Sequence, residues 1–192
     1  MSLWVQLKNE GIWLGLDWII DRRTGDASFL EFNGGLFSDH SIRYTKPYYF
    51  LDMFGRKLLQ HDLIGEFMPA FTSDKDEFDN FSSERNERVV YKRSNSALGE
   101  GVSVMKKPED WEPDFVEEFI DPKVEVSKGK RYPFIIRDYQ RLVIGDNGFS
   151  WNGEDIFRKR SKVALEDSDD PNVNLKLNTI GHEATAVRSK VS

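Results

Sequence analysis

Two acidic residues near the start of the sequence are predicted to face each other across a β-hairpin. Alternating apolar residues predict strands at 14–20 and 27–33, joined by a turn at 22–26. In that register Asp17 lies opposite Glu31, with β-carbons about 5 Å apart. Like charges so close repel each other, and a divalent cation would reverse the sign of the interaction.

Asn33 adds a third oxygen to this predicted group. It follows Glu31 by two residues on the same face, roughly 7 Å along the strand. Two carboxylates and one amide oxygen suit Mg²⁺, which keeps its other positions for water and substrate phosphates. The pattern predicts Asp17, Glu31 and Asn33 as metal ligands, and a solvated polar face on an edge hairpin is the alternative.

A lysine followed by a loop with glycine and serine predicts a phosphate-binding segment. Strands are predicted at 89–92 and 102–105, with the loop between them. Glycine lets backbone N–H groups close on phosphate oxygens, serine hydroxyls can donate too, and lysine supplies positive charge. A turn with no ligand is the alternative, and the spacing fits neither a Walker loop nor the dinucleotide-binding fingerprint. The predicted contacts are Lys92, Ser94, Ser96, Gly99 and Gly101.

Paired acids interrupt a short apolar strand predicted at 115–120. They are Glu117 and Glu118, and Glu125 follows shortly after. Acids beside a buried strand can accept hydrogen bonds from ribose hydroxyls, while the strand backbone meets the edge of a base. Exposed acids on an edge strand are the alternative.

Composition limits the class of protein. The 192 residues, 39% hydrophobic and 31% charged, fit a folded protein with a sizeable core. A net charge of −6 offers no broad positive surface, so nucleic acid is not expected as a partner. There is no cysteine, which leaves oxygen and imidazole as metal ligands. No apolar stretch approaches the roughly 20 residues that span a bilayer, so no membrane partner is expected, and the lack of a secretion signal predicts a cytoplasmic location.

Other elements are predicted around these segments. Sheets interleaved with helices indicate an α+β protein of two lobes. The acidic stretch 166–170 is predicted as a surface loop. His40, His61 and His182 have no metal-ligand spacing and are expected at surface or capping positions. The remaining predictions are helices at 4–11, at 47–63 and, behind a cap at Thr72 and Ser73, at 74–81, with strands at 134–144 and 155–161.

The order of these segments resembles the ATP-grasp superfamily over most of residues 11–178. Nucleotide-binding lobes of that family carry a lysine, a glycine-rich loop and an acidic-apolar strand that links the lobes. The resemblance implies Lys57 and Lys92 as the phosphate lysines and 94–101 as the phosphate loop. It also implies an adenine-contacting linker of Glu117, Glu118, Phe119 and Ile120, a ribose contact at Glu125, and Mg²⁺ ligands at Asp17, Glu31 and Asn33.

The metal hairpin usually comes last in this family, whereas here it comes first. The chain reaches 172–175 near the point where the usual family enters a helix and the metal hairpin, and it begins with that helix and hairpin. The order therefore resembles a circularly permuted branch that includes glutathionylspermidine synthetase-like ligases. The implied architecture is one ATP-grasp domain over 1–192, with a small lobe at about 47–114 and a large lobe of 1–46 and 115–192.

The resemblance implies an ATP- and Mg²⁺-dependent carboxylate–amine ligase that works through an acylphosphate. Arg158 or Arg160 would steady the transferring group, the loop 94–101 would exclude water, and Arg137 and Arg141 are further anion candidates. The implied substrates are a small-molecule or peptide carboxylate and an amine. The chain is expected to be a minimal member, a fragment, or a subunit that borrows its acceptor site from a partner subunit or from a homo-oligomer. A non-catalytic ATP-binding module and a small-molecule phosphotransferase are the alternatives.

Overall fold

The computed structural model describes residues 12–34, 56–94, 101–145, 148–175 and 187–188. Their strands are β1 (Ile12–Ile20), β2 (Ala27–Gly34), β3 (Phe71–Thr72), β4 (Val89–Lys92), β5 (Val102–Val104), β6 (Phe115–Glu118), β7 (Val124–Ser127), β8 (Lys130–Gly145), β9 (Gly148–Arg160) and β10 (Val187–Arg188). The helices are α1 (Lys57–Ile64), α2 (Phe78–Glu84) and α3 (Pro171–Asn174). These elements form two antiparallel sheets with few helices, which confirms the predicted α+β class.

The larger sheet contains the N-terminal hairpin. Its strand order is β10-β9-β8-β1-β2, and β7 pairs with the first part of β8. β1 pairs antiparallel with β2 on one side and with β8 on the other. The N-terminal hairpin therefore lies in one sheet with the strands of 134–161, two segments that the family resemblance assigned to the same lobe.

The smaller sheet has the order β3-β6-β4-β5. Because β6 pairs with β4, this unit reaches Glu118 and passes the boundary predicted near residue 114. Two phenylalanines three residues apart give α2 an apolar face, which packs on the sheet. The resulting core cluster is Phe78, Phe81, Val89, Tyr91 and Val116.

Several element boundaries differ from those predicted. The predicted cap at Thr72 and Ser73 is wrong, because the Asp74 side chain caps the turn by accepting from the N–H of Asp76 at 3.1 Å. A 3-10 turn, Lys75–Glu77, then leads into α2. β5 ends before Met105, whose φ of 56° breaks the strand.

Other predicted elements are only partly covered. Helix 4–11 and the first part of helix 47–63 lie outside the described residues. Strands β8 and β9 are longer than predicted, and β7 was missed. The acidic stretch near residue 166 is exposed, as predicted, but it contains a 3-10 turn held to β8 by the pair Glu166–Arg131, at 2.6 Å.

Phe78→Ala is expected to lower the free energy of unfolding by about 3–5 kcal/mol, because it removes buried apolar area and leaves a cavity. Phe67 provides a matched control, since its side chain is 58% exposed. Phe67→Ala should change the same quantity by less than about 1 kcal/mol. Urea denaturation measures both values, and equal losses would contradict the packing of α2 on the sheet.

Candidate functional site

A cleft between the two sheets brings together several predicted site residues. The large sheet contributes Ile19, Leu30 and Ile135 to its wall. The small sheet and the segment after it contribute Lys92, Val104, Glu117, Glu118, Phe119 and Ile120. Lys92 and all four residues of the predicted linker therefore line one cleft. Apolar walls with a few charged groups are typical of small-molecule sites.

Glu117 is the centre of a buried charge cluster in this wall. One carboxylate oxygen accepts a hydrogen bond from the Lys92 ammonium, and the other lies 2.8 Å from Nε2 of His61. Burial alone would raise the pKa of Glu117, but Lys92 and His61 together outweigh it and hold the pKa below its usual value. Glu117 is therefore ionised and can only accept, so Nε2 of His61 donates.

The predicted surface or capping role is wrong for His61. Its ring is buried on α1, stacks on Phe71 with 3.9 Å between centroids, and meets the edge of Phe115 at 5.5 Å. Within the described part of the chain, its Nδ1 has no hydrogen-bond partner. No local pattern could have indicated this contact, because Glu117 lies 56 residues away along the chain. His40 and His182 lie outside the described residues.

The opposition of Asp17 and Glu31 is confirmed, although the register near the turn differs from the prediction. Ile20, and not the next residue, pairs with Ala27. A β-bulge then makes Leu30 the extra residue and restores the pairing of Asp17 with Glu31. The bulge thus brings the two carboxylates together.

The alternative of a solvated polar face on this hairpin is wrong. Asp17 is 0% exposed, and Asp21 on the same face is also buried. Arg137, directly opposite on β8, donates to both carboxylate oxygens of Asp17 at 2.5 Å. Lys159 on β9 places its ammonium 3.6 Å from the same carboxylate.

Two cations therefore offset the predicted carboxylate repulsion. Burial is the main reason that the pKa of Lys159 lies below its usual value, and the positive charge of Arg137 lowers it further. The carboxylates of Asp17 and Glu31 act in the opposite direction and raise it. The group thus contains two acids, Asp17 and Glu31, and two bases, Arg137 and Lys159, of which Asp17 and Arg137 are buried. Lys159 was not predicted as a site residue, and only its position between two other basic residues could have drawn attention to it.

Strand alternation places the Asp17 group on the cleft side of the large sheet. Asp17 is two residues from Ile19 on β1, and Arg137 is two residues from Ile135 on β8. Ile19 and Ile135 both line the cleft. Because side chains two apart share a face, Asp17 and Arg137 lie on the cleft-facing side of the large sheet, two residues along their strands from the lining. The Glu117 cluster lies in the opposite wall itself.

The same alternation turns Arg158 and Arg160 away from Asp17, since Lys159 lies between them. Glu125 holds both arginines, at 3.6 Å and 3.3 Å respectively. Arg158 lies 5.0 Å above the Phe134 ring. Their predicted contact with a transferring phosphoryl group, and the ribose contact of Glu125, therefore do not fit the observed cleft. Among the described side chains of the large sheet, Arg137 and Lys159 are the basic residues beside Asp17.

The other predicted phosphate contacts have mixed outcomes. Lys57 is buried at the start of α1 and is not among the described residues that line the cleft. The Ser94 N–H donates to the Asp114 carboxylate at 2.7 Å, which removes that donor from a phosphate role. Gly101 has a φ of 59°, which favours glycine. Ser96, Gly99 and the side chains of Asn33 and Arg141 lie outside the description.

The acidic residues do not form a metal cluster by themselves. Within the described ranges, no three acidic or histidine side chains are grouped so that they could hold a metal ion. Both oxygens of Asp17 are held by Arg137. The group can therefore bind Mg²⁺ only if an anion binds together with the metal and pairs with Arg137 in place of Asp17.

Comparisons with known proteins found no match from which a function could be taken. No protein-family model matches the chain, and neither curated proteins nor solved structures gave a match. Among the helices that the structure describes, none is long and apolar enough to cross a membrane. Any functional conclusion must therefore come from the geometry of the cleft.

Asp17→Asn is expected to lower the free energy of unfolding by about 3–5 kcal/mol, because Arg137 and Lys159 would remain buried without their main counter-charge. Asp79→Asn is the control, since Asp79 pairs with Lys107 on the surface. Its effect should stay below about 1 kcal/mol. Urea denaturation at neutral pH separates the two, and a neutral effect of Asp17→Asn would contradict the buried pairing.

Glu117 should make stability fall in acid. Its pKa is lower in the folded state than the usual 4.5, so its contribution is present above 4.5 and is lost as pH falls through the folded-state pKa. The double variant Lys92→Met/Glu117→Gln removes this titration and leaves no unpaired buried charge. Urea midpoints measured from about pH 6 to about pH 3 should therefore fall less steeply in the double variant. Identical slopes in the two proteins would refute the assignment.

Proposed function

We propose that the chain binds ATP with Mg²⁺ in the cleft between its sheets and acts as an ATP-grasp-type carboxylate–amine ligase. The observation that carries this proposal is a cleft with apolar walls that has the buried Glu117 cluster in its small-sheet wall and the Asp17 group on the facing side of the large sheet. A nucleotide needs both features, because its base is planar and weakly polar and its phosphates are highly charged. The site supplies each at a different position.

The apolar wall is suited to the base. Ile19, Leu30 and Ile135 come from the large sheet, and Val104 comes from the small sheet. The segment Glu118 to Ile120 brings polar backbone to the same wall, where it can meet the edge of a base. These three residues belong to the adenine-contacting linker that the family resemblance implied.

Lys92 is the small-sheet contact for the phosphates. The buried Glu117 carboxylate fixes the position of its ammonium. An ammonium has three donors, so the bond to Glu117 leaves others for phosphate oxygens. Lys92→Ala alone would leave Glu117 buried without its strongest partner, so this change is expected to destabilise the fold as well as to weaken phosphate binding.

The large-sheet cluster favours a metal and a polyphosphate that bind together. Asp17 and Glu31 would repel a polyphosphate alone, while Arg137 and Lys159 would repel a cation alone. When both arrive, each charge finds a partner of opposite sign. Asp17, Glu31 and Asn33 would then hold Mg²⁺, which when bound offsets the charge of the phosphate oxygens and orients them.

The proposed ligation has two chemical steps, in which the basic residues of the large sheet would stabilise the developing charge. A substrate carboxylate oxygen forms a bond to the γ-phosphorus as the bond to ADP breaks, which gives an acylphosphate. An amine then attacks the acyl carbon, and inorganic phosphate leaves. Arg137 and Lys159 would stabilise the charge on the transferring oxygens. The predicted lid, 94–101, lies mostly outside the described residues.

Lys159→Met should weaken binding of Mg²⁺-ATP by at least about tenfold, the effect of losing one charge-assisted hydrogen bond. Arg158→Met is the matched control, because this neighbouring basic residue lies on the other face and should leave affinity unchanged. Isothermal titration calorimetry with ATP gives both values, and the same titration in EDTA should show much weaker binding.

Equal effects of the two variants, or equal affinity with and without Mg²⁺, would contradict this site. Product analysis then separates the activities. A ligase forms ADP, phosphate and a condensed product only when carboxylate and amine are both present. Binding without turnover would indicate a nucleotide-binding module, and a phosphorylated hydroxyl acceptor would indicate a phosphotransferase.

A further inference from the structure

The outer strands of the two sheets are each capped by an amide side chain. Among the strands that the structure describes, β2 lies at one edge of the large sheet and β5 lies at one edge of the small sheet. An edge strand presents backbone groups that have no neighbouring strand to pair with. In both cases, the capping residue belongs to the structure built around the opposite sheet.

Gln60 caps the large sheet from the small-sheet side. Its side-chain oxygen accepts from the N–H of Phe32 on β2 at 2.9 Å. Gln60 is buried on α1, and the next residue, His61, fixes that helix to Glu117 of the small sheet. The helix thus spans from the small sheet to the edge of the large one.

Asn172 caps the small sheet from the large-sheet side. Its side-chain oxygen accepts from the N–H of Val104 at 2.8 Å, and its side-chain nitrogen donates to the Val104 carbonyl at 3.3 Å. The chain leading to Asn172 is held to β8, where the Ser161 N–H donates to the Pro133 carbonyl at 2.8 Å. The cap therefore reaches across from the segment that follows β9.

A fixed connection lies where the chain passes from β6 to β7. The Arg22 N–H donates to the Asp121 carbonyl at 2.7 Å, and the Lys123 N–H donates to the Ile20 carbonyl at 3.0 Å. These bonds attach the connecting segment to the turn of the N-terminal hairpin. At its other end the Phe119 N–H donates to the Arg88 carbonyl, just before β4, at 2.9 Å. The segment is thus attached to both sheets and can act as the hinge of the cleft.

We propose that Gln60 and Asn172 are paired latches that hold the cleft closed and release together when the sheets open about this hinge. Both latches lie close to the cleft wall, because Leu30 and Leu175 line it. Leu30 precedes Phe32 by two residues, and Leu175 follows Asn172 by three. Opening would withdraw both walls at once. This device follows from the contacts between the sheets and does not depend on which ligand the cleft binds.

Amide hydrogen exchange of the whole chain, measured by NMR without nucleotide, tests the proposal. The N–H groups of Phe32 and Val104 each report on one latch. Asn172→Leu removes two hydrogen bonds and should speed exchange at Phe32, the other latch, by at least about tenfold. Gln60→Met should likewise speed exchange at Val104. Asn80→Leu, on the exposed face of α2, is the control and should change neither.

The N–H of Tyr91, in the small-sheet core, distinguishes hinge opening from unfolding. The proposal requires Phe32 to accelerate more than Tyr91 in Asn172→Leu. Unchanged exchange at Phe32 would overturn it, because each amide would then be only a local cap. Equal acceleration at Phe32 and Tyr91 would also overturn it, because the latch would then report global stability. If Asn172→Leu does not fold, exchange at Val104 compared with Tyr91 in Gln60→Met distinguishes the same outcomes.

Discussion

The buried pair of Asp17 and Arg137 is the interaction on which the large sheet depends. Moving an ion from water into a protein interior costs several kcal/mol, so a buried carboxylate persists only with a close counter-charge. Arg137 supplies that charge through two hydrogen bonds from the neighbouring strand. The pair therefore fixes the register of the N-terminal hairpin against strands near the other end of the chain.

The small sheet also contains a buried carboxylate, Glu117, which is stabilised by a different set of partners. Glu117 is held by Lys92 from the adjacent strand and by His61 from a helix, so one acid connects two strands and a helix. The two clusters are close to neutral in themselves, yet each contains groups that can exchange partners. A ligand carrying both signs of charge suits such a cleft better than a simple anion or a simple cation.

Strand alternation, more than the number of basic residues, determines which cations can act in the cleft. Arg158, Lys159 and Arg160 are consecutive, but only Lys159 shares the face of Asp17. The flanking arginines lie over aromatic rings and share Glu125 on the opposite side. A run of charge that appears as one feature in the sequence is therefore divided between two surfaces.

The sequence alone determined the local features of this protein. Period-two alternation and turn residues located β1, β2 and β4, because these features depend on neighbouring residues. The predicted pairing of Asp17 with Glu31 is also found, but it depends on a bulge at Leu30 that the alternation did not predict. Only the tertiary structure decided that the acidic face of β1 is the buried one, that His61 meets Glu117, and that Lys159 is the basic residue turned to the cleft. Those outcomes depend on contacts between distant segments, since Asp17 and Arg137, for example, are 120 residues apart. No local pattern encodes which of many charged side chains will meet.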